Sequence, residues 1–263
     1  MPASDVPLHE IAASDAAVAT LFVRRYERAA PRVSIPRPEI QLVARFGPAA
    51  RDGLDVHLLG ARQQVHRKLI LGGQCVVGAR LRLGMCERAF GVPACAVAGR
   101  TVAIDDLWDA GAARRLCDRL ADARDGAEAA VIVEHAIAAR IAALAAPDRH
   151  ARLVTHAADR LTSGSVRDVA AGLGMSERHL RRVFLETVGL SPKAFARVAR
   201  FRRAVRAARE GRDINWAGIA AATGFCDQAH LIDEFRAIAG ATPAAFLREL
   251  DDSLLDAPAP RRD

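Results

Sequence analysis

Lysine is almost missing from this 263-residue sequence: of its 38 lysines and arginines, only Lys68 and Lys193 are lysines. Nearly every positive charge is therefore a planar guanidinium, which makes forked contacts with phosphate or guanine that an ammonium cannot. GC-rich coding enriches arginine as well. Long apolar runs are missing too. No stretch approaches the roughly 20 apolar residues of a membrane span, and the start MPASDVPLHE lacks a basic region followed by an apolar one. A cytoplasmic protein with no membrane partner is expected. The five cysteines, Cys75, Cys86, Cys95, Cys117 and Cys226, are odd in number and form no CxxC pair. That excludes a disulfide framework and a four-cysteine zinc site, leaving inert thiols as the expectation and a redox or metal sensor as the alternative. Nucleophile elbow, P-loop, HExxH and dinucleotide glycine motifs are all missing. No enzyme, cofactor, catalytic residue or metal site is predicted.

What is present suits a folded, soluble α+β chain. The composition is 51% hydrophobic and 26% charged, and the length allows two cores. A net charge of +7 and a pI near 9.9 favour an anionic partner. Short segments read as strands at 39–46, 54–60, 64–71 and 75–83; in the last, Ala79, Leu81 and Leu83 alternate with Arg80 and Arg82, as in a half-buried strand. An antiparallel sheet or barrel-like domain is expected there. Alanine-rich helices follow at 109–123 and 127–145, and Pro147-Asp148 stops the second. The expected domains are 1–147, regulatory, with strands over about 33–84, and 149–250, all-helical; residues 251–263 read as a disordered tail and residues 1–5 as frayed.

The informative feature is a repeat. The segment VRDVAAGLGMSERHLRRVFLETVGLSPKAF from Val166 recurs as WAGIAAATGFCDQAHLIDEFRAIAGATPAAF from Trp216. Ala170, Ala171 and Gly174 match Ala220, Ala221 and Gly224 at an offset of 50, while His179, Leu180, Phe184, Gly189, Pro192 and Phe195 match residues 51 further on. Each copy reads as helix, tight turn and second helix. Ser165 caps the first helix, Gly174 permits the turn, and Ser176 caps the second. Leu180, Val183, Phe184 and Val188 share one face of that second helix. Glu177, Arg178, Arg181 and Arg182 share the other, where the motif would aim them at a major groove. A plain α-helical hairpin with a solvated arginine face would explain one copy; two copies, each closed by Gly-x-[Ser/Thr]-Pro, favour double-stranded DNA as partner.

These residues resemble the C-terminal DNA-binding domain of the AraC/XylS family of transcriptional regulators over about 149–250, most specifically in GFCDQAHLIDEFRAIAGATPAAFLR. The preceding 100 residues, including GVPACAVAGRTVAIDDLWDAGAARRLCDRL, are similar, less specifically, to a less-studied N-terminal domain found in some such regulators. The resemblance implies a sequence-specific regulator, more often an activator, in which the helix from Pro192 to Glu210, roughly 28 Å long at 1.5 Å per residue, bridges two reading helices. DNA-contacting residues expected on this basis are Ser176, Glu177, Arg178, Arg181 and Arg182 in the first unit and Gln228, His230 and Ile232 in the second. Ser191, Lys193, Arg203 and Arg206 are candidate phosphate contacts, with a solvated helix face as the alternative for Arg203 and Arg206. Members of the family commonly have a basic residue where this chain has Asp233, which sets an acid against phosphate and puts base reading by the second unit in doubt. Asp227 and His230 also read as a cap and a packed residue. Residues 152–212 hold 14 basic and 5 acidic side chains, whereas 213–263 hold 4 and 9.

The resemblance further implies an N-terminal domain that senses a small molecule or mediates dimerisation, with RNA polymerase as a further partner. Effector-binding residues stay unassigned. Arg80, Arg82 and Arg100 meeting an acidic effector, or His57 with His66 binding a metal, compete with plain surface residues. The alternatives in function are a repair alkyltransferase with a DNA-binding tail, for which Cys95 lacks a neighbouring His, and a DNA-binding protein without an effector.

Overall fold

A computed structural model describes residues 9–143, 149–211 and 213–255. Eight strands come first: β1 His9–Ile11, β2 Val18–Tyr26, β3 Ala30–Ser34, β4 Gln41–Phe46, β5 Leu54–Leu59, β6 His66–Ile70, β7 Gln74–Leu81 and β8 Thr101–Ala103. Six of them form one antiparallel sheet in the order β1-β2-β7-β4-β5-β8, while β3 and β6 pair apart as a two-stranded ribbon. The four expected strand segments are β4, β5, β6 and β7. The sequence reading passed over β1, β2, β3 and β8, together with the short helices α1 Cys86–Phe90 and α2 Ala94–Val97.

Strand β7 corrects one expectation. It is the centre of the sheet, bordered by β2 and β4, and it is not half-buried: Gly78, Ala79, Arg80 and Leu81 are all buried in succession. One face of the sheet, with Leu21, Leu42, Ala44, Val77 and Ala79, packs against apolar residues of α3 Ala110–Ala121 and α4 Gly126–Ala142. Asp109 and Asp125 cap these helices by accepting from the amides of Ala112 and Glu128. The other face looks toward the β3–β6 ribbon. Residues 144 and 145 of the second expected helix, and Pro147-Asp148, lie outside the described residues.

The C-terminal region comprises α5 Arg149–Leu161, α6 Val166–Gly172, α7 Glu177–Val188, α8 Pro192–Glu210, α9 Trp216–Thr223, α10 Gln228–Ala239 and α11 Pro243–Leu255. Each repeat copy has its own core: Val169, Leu180, Val183, Phe184 and Phe195 in the first, Phe201, Leu231, Phe235 and Phe246 in the second. Both cores also take in residues from the strand region, Ala61 in the first and Val33 in the second. Helix α11 runs through Leu255, five residues into the stretch expected to be a disordered tail; 256–263, like residues 1–5, lie outside the described residues.

Candidate nucleic-acid interface

The first unit is α6, a turn and α7. Ser165 accepts from the amide of Asp168 and Ser176 from that of His179, so both helix starts are satisfied as their cap residues predict. Gly174 and its counterpart Gly224 turn the chain at φ of +66° and +87°. Burying Leu180, Val183, Phe184 and Val188 leaves the opposite side of α7 in solvent. Arg178 extends there with no ion-pair partner among the described residues. Arg181 donates to Glu177 at 2.7 Å, and Arg182 lies 3.4 Å from Glu186 and 3.3 Å from Nδ1 of His179. Such exposed pairs one helical turn apart are weak, so phosphate or a guanine edge can replace the carboxylates. Glu177 also lies 3.5 Å from Arg167 on α6, which places a fourth guanidinium beside the cluster.

The second unit has the same build and a different surface. Asp227 caps α10 through the amide of His230. His230 is half-buried, accepts at Nδ1 from the amide of Cys226 at 3.3 Å, and sets its ring edge-on to Phe225. Its neighbours hold it in a packing position. Gln228, Ala229 and Asp233 are exposed and Ile232 is partly so. Asp233 lies 3.4 Å from Arg236, so the acid is partly offset by its own helix.

Helix α8 joins the units, with Ser191 capping it by accepting from the amide of Ala194 and Pro192 opening it. Of the four candidate phosphate contacts, Lys193 and Arg206 are exposed, whereas Ser191 is committed to its cap. Arg203 is neither a free phosphate contact nor a solvated side chain. It is partly buried and donates to the carbonyls of Thr162 at 2.7 Å and Thr223 at 3.1 Å, tying the end of α5 to the end of α9. Burial, and then the charge of Arg200, lower its pKa from the ordinary arginine value. Arg197 makes a second tie, donating to Glu234 on α10 at 2.6 Å. Both ties escaped the sequence reading, because residues 37 and 41 positions apart have no local signal that pairs them.

Away from this face, Arg80 is buried at 9% exposure, while Arg82 and Arg100 are exposed. His57 sits on β5 beside Asp55 and Arg45, and His66 on the ribbon; among the described residues no three metal-binding side chains cluster. Burial raises the thiol pKa of Cys75, Cys117 and Cys86, the last to about 12, with Glu87 and Cys95 adding to the effect on Cys86. A raised thiol pKa opposes thiolate chemistry.

The model of a family described as a helix-turn-helix domain matches residues 169–249. No curated protein matches the chain. Among solved structures, an apo variant of ToxT from Vibrio cholerae is similar at 11% identity and a TM-score of 0.43, over 88% of this chain and 97% of that one. The C-terminal domain of AraT, a response regulator from Geobacillus stearothermophilus, is similar at 18% identity and 0.37, over 44% and 95%. The DNA-binding domain of AdpA, a global transcriptional factor solved with a target DNA, is similar at 29% identity and 0.34, over 39% and 93%. The match at 169–249, together with two capped helix-turn-helix units on one bridging helix, defines the class: a DNA-binding transcription regulator.

Proposed function

We propose that α7 is the dominant reader of promoter DNA and that α10 contributes less. The observation that carries this is the exposed set Arg178, Arg181 and Arg182 on α7, set against Gln228, Ala229 and Asp233 at the matching place on α10. Arginine forks onto guanine O6 and N7, whereas an aspartate beside phosphate repels. Lys193 and Arg206 serve as phosphate contacts along α8. The protein works by binding, in the cytoplasm, as an activator that meets RNA polymerase, and its N-terminal domain governs it through a small molecule or a second copy of the chain.

Gel-shift titration tests the order of the two readers. Arg182→Ala should weaken operator binding by roughly 5- to 150-fold, the equivalent of about 1–3 kcal/mol for a forked base contact. Any single alanine change at Gln228, Ile232 or Asp233 should cost less, and a larger loss at one of those positions overturns the proposal.

A further inference from the structure

Between the six-stranded sheet and the β3–β6 ribbon lies a cavity of about 330 Å³. Its lining joins Arg24, Arg37, Arg62, Lys68 and Arg80 from the strand region with Arg209 from α8. Among the described residues no carboxylate lines it. On the sheet side its apolar lining includes Phe22, Val43, Leu59 and Val76.

Among the described residues, few acids reach the side chains of Arg37, Arg62, Lys68 and Arg80. Glu10 accepts from Nη1 of Arg80 at 2.7 Å, yet Nε of Arg80 stays buried with no hydrogen-bond partner among the described residues. Glu39 is engaged by Arg202 at 3.1 Å, and Asp251 reaches Arg209 only at 3.7 Å. Arg62 has the hydroxyl of Thr101, a neutral acceptor. The side chains of Arg37 and Lys68 have no hydrogen-bond or ion-pair partner among the described residues. The groups push on one another accordingly. Burial, and then Arg80 and Arg202, lower the pKa of Arg37 to about 10, against the opposing pull of Glu39 and Glu10. Desolvation, Arg45 and Arg62 lower that of Lys68. Desolvation, Arg62 and Lys68 do the same to His66, which also lines the space.

Charges drawn out of water are costly unless paired, and of these groups Arg80 is buried while Arg37 and Arg62 are partly so. The volume lies at the lower end of the roughly 300–1,000 Å³ of small-molecule sites, which limits an occupant to a compact molecule. We propose that the cavity binds a small molecule bearing at least two negative charges, as carboxylate or phosphate groups, held by Arg37, Arg62, Lys68 and Arg80 with its body against Phe22, Val43 and Val76. This rests on the proposal above that a small molecule governs the N-terminal domain. Because Arg209 and Leu250 also line the cavity, the occupant touches α8 and α11 as well as the sheet, and its binding is linked to the arrangement of the DNA-binding units.

The test uses the full chain without DNA, in thermal melts and calorimetric titrations with pyrophosphate, with adipate, and with hexanoate as a single-charge control, all at ionic strength matched with sodium chloride. One of the two dianions should raise the melting temperature by roughly 5 °C or more near saturation, and which one does so separates the phosphate from the carboxylate source. Arg37→Gln and Arg62→Gln should each weaken that binding at least tenfold. Each also removes a repelling charge, so neither should melt below wild type without ligand. Arg51→Gln, at a residue 93% exposed in its side chain and outside the cavity, should change nothing. The proposal fails if neither dianion exceeds chloride, if hexanoate matches them, or if the shift survives both cavity substitutions together. Gel shifts on the same preparations keep the two readings apart. Dianion binding with no effect on DNA affinity leaves the site standing and removes effector control; a neutral molecule that alone alters DNA affinity does the reverse.

Discussion

Arg203 and Arg206 sit one helical turn apart on α8 and were equivalent in the sequence, yet the structure gives them different work. Arg206 is exposed, while both hydrogen bonds of Arg203 end on carbonyls, one at the end of α5 and one at the end of α9. Salt dependence separates them. Removing one phosphate contact reduces the slope of log K against log[salt] by about 1, so Arg206→Ala should flatten the slope by that amount and leave the melting temperature nearly unchanged. Arg203→Ala should keep the slope and lower stability by about 1–3 kcal/mol, since two partly buried carbonyls lose their donor; gel shifts across a salt series and thermal melts measure the two effects. The sequence supplied both arginines. Only the fold decides which one water and phosphate can reach.

At the scale of elements, the caps were the most legible feature. Ser165, Ser176 and Asp227 each accept from an amide three residues on, because a helix start leaves amides unsatisfied and the remedy is local. Gly189 shows what the local pattern leaves out. It ends α7, where the sequence reading had each unit closed by Gly-x-[Ser/Thr]-Pro, at φ of +81°, and a Cβ there would lie 2.8 Å from the carbonyl of Ala94 on α2. Gly189→Ala should therefore cost more than the roughly 1 kcal/mol of an ordinary left-handed helix end. The counterpart Gly240, at +68° with open space around it, should show the smaller cost when changed to alanine; denaturant melts of the two variants compare them directly. Strands were less legible than helices. Strand β2 ends in Arg24-Arg25-Tyr26 after a run of apolar residues and β3 starts with Ala30-Pro31, so neither displays clean alternation, and their partners β7 and β6 lie far along the chain.

At the scale of the whole molecule, the strand region and the DNA-binding units share a seam. Val33 on the ribbon is buried in the core of the second unit, the amide of Val65 donates to the carbonyl of Ile238, and Arg67 bonds both Glu249 and the carbonyl of Ala239. Val33→Ala should lower stability by roughly 1–3 kcal/mol. It should also speed amide hydrogen exchange in α10 and α11, some 200 residues away in sequence; exchange confined to the strands would show that the seam carries no stability.

By itself the sequence determined the duplicated helix-turn-helix units, their caps and turns, and the arginine-bearing face of α7, since all of these follow from spacing within about one helical hairpin. Tertiary structure decided the rest. It turned Arg80 from an expected surface residue into a buried one by covering both faces of β7, set Arg203 between two helix ends, and gathered basic side chains from distant elements around one cavity. Burial and pairing depend on which segments meet, and chain neighbours carry no record of that.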